Sequence, residues 1–204
     1  MNKVALTALT LVVSSLSGCG SLNNALAEKT KTIEYYRIFN LETNSDRANI
    51  ISAASDGLGQ NINSARESTP IPVFSEAPEK PGRFKIINPL EGSNMAAFAA
   101  ASGASLKVAS CEGAVWIAQA SREVQDSDTL NLTACLWEYQ GGYHLDTYAT
   151  FQKTTGGLMQ ISREMASAIA GTPEEWTEKT FLDIVRQIRS ETGAKITYLE
   201  GYPK

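Results

Sequence analysis

The stretch that most constrains the fold is Leu130–Thr154, where apolar and polar residues alternate on both sides of Gly141-Gly142. Alternation at a period of two marks a strand whose faces meet different environments. A glycine pair accepts the positive φ that a two-residue primed turn requires. The pattern predicts a β-hairpin. With Gly141-Gly142 as the turn, Gln140 stands opposite Tyr143. Leu136 then pairs with Thr147, Ala134 with Ala149 and Leu132 with Phe151, making one apolar face. On the other face Tyr139 meets His144, Trp137 meets Asp146 and Cys135 meets Tyr148. A slip of one residue would exchange the two faces.

That second face gathers the residues best suited to recognition: Trp137, Tyr139, His144, Asp146 and Tyr148. Flat rings with polar tips can contact a sugar, a peptide or a protein at low entropic cost. The competing reading is that other elements cover this face and that these residues are core with satisfied polar ends. His144 is the only histidine of the chain. A zinc site needs three or four ligands, so His144 is not read as a metal ligand, and no cofactor is expected.

Around the hairpin, Ile33–Leu41 is rich in β-branched and aromatic residues and reads as a strand. Asn44 and Ser45 offer an N-cap to a helix with Ile50, Ile51, Ala54, Leu58 and Ile62 on one face, weakened by Gly57 and Gly59. Pro70, Pro72, Pro78 and Pro81 make Arg66–Gly82 a long extended loop, either functional or simply a crossover or a mobile flap. Arg83–Asn88 is a short strand. The alanine-rich run from Asn94 to Ser105 reads as a helix or as a small-residue segment, with helix favoured by propensity. Leu106–Ala109 and Ala114–Ala120 look like strands with a turn or bulge at Cys111–Gly113.

Leu158, Ile161, Met165 and Ile169 recur at helical spacing before Gly171. Thr172-Pro173-Glu174-Glu175 is a capping box with proline at the first helical position, and it opens a helix from Pro173 to Thr192 that Gly193 ends. Ala194–Leu199 is the closing strand. Together these elements predict an α+β fold: a mostly antiparallel sheet of about five or six strands packed by two or three helices.

At the amino terminus a single charge, Lys3, precedes the uncharged stretch Val4–Leu16, which is too short and too polar for a membrane-spanning helix of about 20 apolar residues. Leu16-Ser17-Gly18-Cys19 follows. It resembles the lipobox of bacterial lipoprotein precursors, and the resemblance covers residues 1–20. It implies that residues 1–18 are a signal peptide, that Cys19 carries a lipid, diacylglyceryl with a further acyl group such as palmitate, and that the protein is membrane-anchored in the cell envelope. Gly20 stands where inner-membrane retention in that family usually has Asp, which points to the outer membrane of a double-membraned bacterium. Residues 19–31 are small and polar and suit a tether, leaving residues 32–204 as a single α+β domain.

With Cys19 lipidated, Cys111 and Cys135 remain in a compartment where disulfides persist, so they either pair or stay as separate buried thiols; pairing is favoured. The chain has 18 basic and 22 acidic residues, and removing Lys3 makes it one charge more negative. Such a balance does not suit nucleic acid, and the lipid on Cys19 must supply the membrane affinity.

No Gly-x-Ser-x-Gly elbow, phosphate loop or dinucleotide fingerprint occurs, and no catalytic set is assigned. The expected role is therefore binding or assembly support, through an envelope protein or a cell-wall partner. Tyr35-Tyr36-Arg37-Ile38 resembles the early Tyr-Tyr-x-Leu strand of auxiliary lipoproteins of envelope lipid-transport systems. The alternative is a periplasm-facing hydrolase acting on cell wall or a small substrate, with His144 beside Asp146 in a pocket.

Overall fold

The computed structural model describes residues 29–62, 64–71, 76–93, 95–97, 107–124, 128–157 and 171–204. The expected signal peptide, Cys19, most of the alanine-rich run and the periodic segment Leu158–Ile169 lie outside these residues. The chain divides into two compact units, residues 1–31 with 153–171, and residues 32–152 with 172–204. In the first, the described residues include the ends of two strands, where the hydroxyls of Thr30 and Thr154 lie 2.9 Å apart.

The elements run β1 (Lys29–Glu42), α1 (Arg47–Gly59), β2 (Ala65–Ser68), β3 (Lys85–Ile87), β4 (Val108–Ser110), β5 (Trp116–Val124), β6 (Asp128–Tyr139), β7 (Gly142–Thr155), α2 (Pro173–Thr192) and β8 (Lys195–Tyr202). Six strands form one sheet in the order β2-β5-β6-β7-β1-β8, and β3 pairs with β4 in a separate two-stranded sheet. The architecture is α+β with an antiparallel sheet packed by helices. β3 lies outside the main sheet, and the strand that opens the proline-rich region, β2, sits at its edge. The edge is where a strand followed by Pro70 can end without an unmade ladder bond.

The hairpin forms as β6 and β7, with a register offset by two residues from the expected one. Tyr139 pairs with Gly142, Trp137 with His144, Cys135 with Asp146 and Thr133 with Tyr148. The turn is Gln140-Gly141, and the positive φ falls on Gly142 at 123°. Gly142 passes so close to β1 that a Cβ would stand 2.3 Å from the Leu41 carbonyl oxygen. It is therefore held in the ladder, which moves the turn one residue earlier. An even offset keeps every side chain on its expected face.

One face of the sheet packs on α1 and α2. Leu132, Ala134 and Leu136 of β6, Leu145, Ala149 and Phe151 of β7, and Phe39 and Leu41 of β1 join Ile50, Ala54 and Leu58 of α1 and Phe181, Ile184 and Ile188 of α2 in one apolar cluster. Each Leu, Ile or Phe side chain among them removed from water contributes about 1.5–3 kcal/mol. The N-cap of α1 is Asp46 rather than Asn44 or Ser45, its carboxylate accepting from the Asn49 amide at 3.0 Å. α2 keeps its expected bounds, with the Thr172/Glu175 capping box in place and Gly193 left-handed at φ 64°.

Gly57, read from sequence as a weakness of α1, is where the helices meet: a Cβ there would lie 2.6 Å from the Ile184 Cα and 2.9 Å from the Asp183 carbonyl oxygen. Beside this crossing Asp183 is buried and accepts from Asn61 at 2.9 Å, Lys179 at 2.7 Å and Arg186 at 3.0 Å. Burial opposes its charge, but these donors outweigh burial and draw the carboxyl from 3.8 down to about 2.

Two outcomes are expected. Gly57→Ala lowers stability by about 1–3 kcal/mol through overpacking, against a propensity gain of about 1 kcal/mol, whereas Gly59→Ala, with nothing within 4 Å, is neutral or stabilising in the same urea titration. Asp183 has a depressed folded pKa, so its contribution is complete above about pH 4 and is lost as pH falls toward about 2. The urea midpoint of Asp183→Asn should therefore change less than that of the native chain across this window.

Candidate functional site

The second face of the sheet takes alternate residues of four strands. Thr133, Cys135, Trp137 and Tyr139 come from β6, and His144, Asp146 and Tyr148 come from β7. Glu34, Tyr36, Ile38 and Asn40 come from β1, and Glu200 and Tyr202 from β8, across a bulge between Ile38 and Phe39. Period two brings all five expected recognition residues to this face. It leaves only Tyr139 half-exposed; Trp137, His144, Asp146 and Tyr148 are buried.

Their cover is the segment Pro78–Phe84, which leads into β3. Gly82 lies flat on the indole of Trp137, where a Cβ would come within 2.3 Å of the ring. The Phe84 amide donates to Asp146 Oδ2 at 3.0 Å. The Phe84 ring lies between Tyr36, centroids 5.7 Å apart, and Tyr148, 5.6 Å apart. Arg83 pairs with Glu200 and stands 4.0 Å from Asp146 Oδ2. At the near end the Gln140 amide donates to the Pro78 carbonyl at 2.9 Å. The segment expected to be either a crossover or a flap is, over these residues, a strap seated on the candidate face.

The strap and the disulfide close the same small core. Cys111, at the end of β4, is bonded to Cys135 of β6 with Cα atoms 5.8 Å apart. Cys111, Ala114, Cys135 and Trp137 form a second apolar cluster, with Phe84 and Ile117 packed on it. The turn anticipated at Cys111–Gly113 exists: the Ala114 amide donates to the Cys111 carbonyl at 3.1 Å, and Gly113 has φ 78°.

Most polar tips are satisfied. The Trp137 indole donates to the Glu112 carbonyl at 3.0 Å, and the Tyr139 hydroxyl donates to Asn40 Oδ1 at 2.7 Å. The Tyr148 hydroxyl donates to Glu34 Oε2 at 3.1 Å, while Lys107 holds the other Glu34 oxygen. Burial, with the adjacent Glu34 charge and hydrogen bond, pushes the Tyr148 phenol well above its ordinary range.

The exception is the pair at the centre. His144 Nδ1 and Asp146 Oδ1 lie 3.2 Å apart but are not aligned as a hydrogen bond, and among the described residues neither atom has another partner. Asp146 is a fully buried carboxylate with one backbone donor on one oxygen. Arg83 Nε approaches the same oxygen at 4.0 Å, and Oδ1 is the carboxyl oxygen left without an aligned hydrogen bond among the described residues, where a buried polar atom normally has one.

Glu34, Gly82, Arg83, Phe84 and Glu200 were not singled out from the sequence, and Tyr36 was noted only within Tyr35-Tyr36-Arg37-Ile38 and not for this face. The order Pro81-Gly82-Arg83-Phe84, a rigid residue followed by a glycine, a cation and a ring, is the one local signal that marks the strap. Among the described residues no group of three or more His, Cys, Asp or Glu side chains is placed to hold a metal ion.

Replacing both Cys111 and Cys135 by Ala should cost about 3–4 kcal/mol in the chain-entropy account. The loss should be uneven. Hydrogen exchange is expected to rise first over residues 78–87 and 107–115 while the amides of α1 and α2 keep their protection, because the main core lies on the opposite face.

Compared with protein-family models, curated proteins and solved structures, the chain matches none, so its function is argued from its own residues.

Proposed function

We propose that this chain is a lipid-anchored protein of the bacterial envelope, exported and tethered through Cys19, that binds an envelope protein or a cell-wall partner in support of an assembly. The observation that supports the reading is the Cys111–Cys135 disulfide, which closes the second core and is of a kind that persists in oxidising compartments such as the envelope. It agrees with the lipobox-like Leu16-Ser17-Gly18-Cys19, and Gly20 favours the outer membrane. Two or three acyl chains at about 0.8 kcal/mol per buried CH₂ would anchor the protein without a spanning helix. No helix among the described residues is long and apolar enough to cross a membrane.

The more specific version is an auxiliary subunit of an envelope lipid-transport system, and it rests on Tyr35-Tyr36-Arg37-Ile38. In β1 these residues serve both faces. The Tyr35 hydroxyl donates to Glu178 of α2 at 2.7 Å, Arg37 joins both and also donates to the Pro203 carbonyl, and Tyr36 faces the strap. The hydrolase reading receives less support, since the His144–Asp146 pair lies beneath Phe84 rather than on the floor of an open cleft.

The test is to express the full chain and Cys19→Ala in a double-membraned bacterium, label with a palmitate analogue, fractionate the membranes and crosslink intact cells. The native chain is expected to be acylated, to sediment with the outer membrane and to capture a partner that the variant does not. A native chain carrying no lipid would overturn the anchor, and an acylated chain capturing neither protein nor cell-wall fragment would overturn the binding role.

A further inference from the structure

The strap reports what the covered face accepts. Over Pro78–Phe84 an extended segment offers a glycine flush against the Trp137 indole, a main-chain amide to Asp146, a cation between Asp146 and Glu200, and a ring in the slot between Tyr36 and Tyr148. Extended peptides are recognised by this combination: a main-chain hydrogen bond for seating, and separate pockets for side chains at fixed spacing. We infer that the face built from Tyr36, Trp137, Asp146, Tyr148 and Glu200 is a peptide-recognition groove, and that the chain's own Pro78–Phe84 segment is its resting occupant. An extended partner segment bearing glycine, a cation and an aromatic ring in that order displaces it.

Two observations separate this arrangement from an ordinary covered sheet. First, the strap is an incomplete ligand. Asp146 Oδ1 and His144 Nδ1 are buried 3.2 Å apart without an aligned hydrogen bond to each other or to any other described residue, so an occupant that brings one well-aligned donor to Asp146 gains what the strap lacks. Second, the strap's holding contacts are few and partly wet. Arg83 is half exposed, its partner Glu200 equally so, and exposed ion pairs contribute little. The main core lies on the other face and does not depend on the strap. A ligand shifts such an equilibrium only through its differential affinity for the open form, and the under-satisfied Asp146 supplies that difference. The partner is committed by charge as well. The groove presents Asp146 and Glu200 to residue 83, so the matching position of the partner is basic.

The inference deepens the binding role proposed above and rests on it, and its test is made on purified full chain in detergent micelles, without cells or envelope partners. Gly82→Ala drives a Cβ into Trp137, and Phe84→Ala empties the aromatic slot; both loosen the strap and leave the receiving face unchanged. The probe is a synthetic peptide of the strap sequence, Pro-Glu-Lys-Pro-Gly-Arg-Phe, with a scrambled peptide of the same composition as control. Calorimetric titration reads affinity, and hydrogen exchange over 78–84 and 137–148 reads opening.

The expected result is that at least one variant binds the strap peptide roughly tenfold or more tighter than the native chain does, ignores the scrambled peptide and regains protection over 137–148. Adding Asp146→Asn to that variant should weaken binding by about tenfold, the loss of a charged acceptor. The proposal is overturned if exchange over 78–84 rises while the peptide does not bind, or if the scrambled peptide binds equally. It is also overturned if neither variant opens, which makes the strap fixed structure, or if the open variants dimerise with a second copy's strap in the groove. Failure here leaves the anchored role standing, since crosslinking in cells reads that role independently.

Discussion

The pairing of β6 with β7 is the constraint on which the rest depends. Period-two alternation in both strands gives the sheet two unlike faces, Leu132, Leu136 and Leu145 on one and Cys135, Trp137, His144, Asp146 and Tyr148 on the other. Both faces are apolar enough to need covering, and they are covered by different means. The first receives two long helices and a large cluster that excludes water by area alone. The second receives a strap and a two-stranded sheet, whose small cluster offers far less area, and there a covalent bond between Cys111 and Cys135 supplies the closure that burial does not. The disulfide thus sits where the hydrophobic contribution is weakest.

Much of this was legible because its causes are local. The face assignment in the hairpin follows from alternation, and the bounds of α2 follow from Thr172, Pro173, Glu175 and Gly193, each acting within one turn of its own position. The hairpin register was not local in the same way. Gly141-Gly142 offers more than one turn frame, and the choice is made by the Leu41 carbonyl, a neighbour far away in sequence that Gly142 must pass closely. Gly57 carries the same lesson: by propensity it is a defect in α1, and only the path of α2 reveals why a side chain cannot stand there. The candidate site was half legible for the same reason. Alternation gathered Trp137, His144, Asp146 and Tyr148, whereas their partners Gly82, Arg83 and Phe84 lie in a segment with no periodicity, positioned by contacts across the sheet.

Burial of the site residues changes the question asked of them. An exposed Trp137 or Tyr148 would be a surface awaiting a partner, whereas a covered one is either core or a surface already occupied. The two cases differ in how completely polar groups are satisfied. Core networks are retained when every member finds its partners, because a half-satisfied network in low dielectric is worse than an apolar one. Trp137, Tyr139 and Tyr148 meet that standard, and each is tied to an oxygen of a neighbouring element. The His144–Asp146 pair does not, and it lies under the strap.

That coincidence sets the energetic balance of the second face. Leaving a buried donor or acceptor unmade costs about 1–3 kcal/mol, and more for a charged group. The strap's own seating draws on the Phe84 amide to Asp146, the Gln140 amide to the Pro78 carbonyl, the contacts of Gly82 and Phe84, and a half-exposed Arg83 that pairs with Glu200 and approaches Asp146. A closed state taxes any competing occupant by the fraction of molecules that are open, so a partner's apparent affinity falls in the same proportion as the strap's hold rises. The disulfide enters this balance directly, because it fixes the end of the cover at Cys111 and leaves Pro78–Phe84 as the section that must move. The interactions of Asp146 and Trp137 then set what can occupy the face.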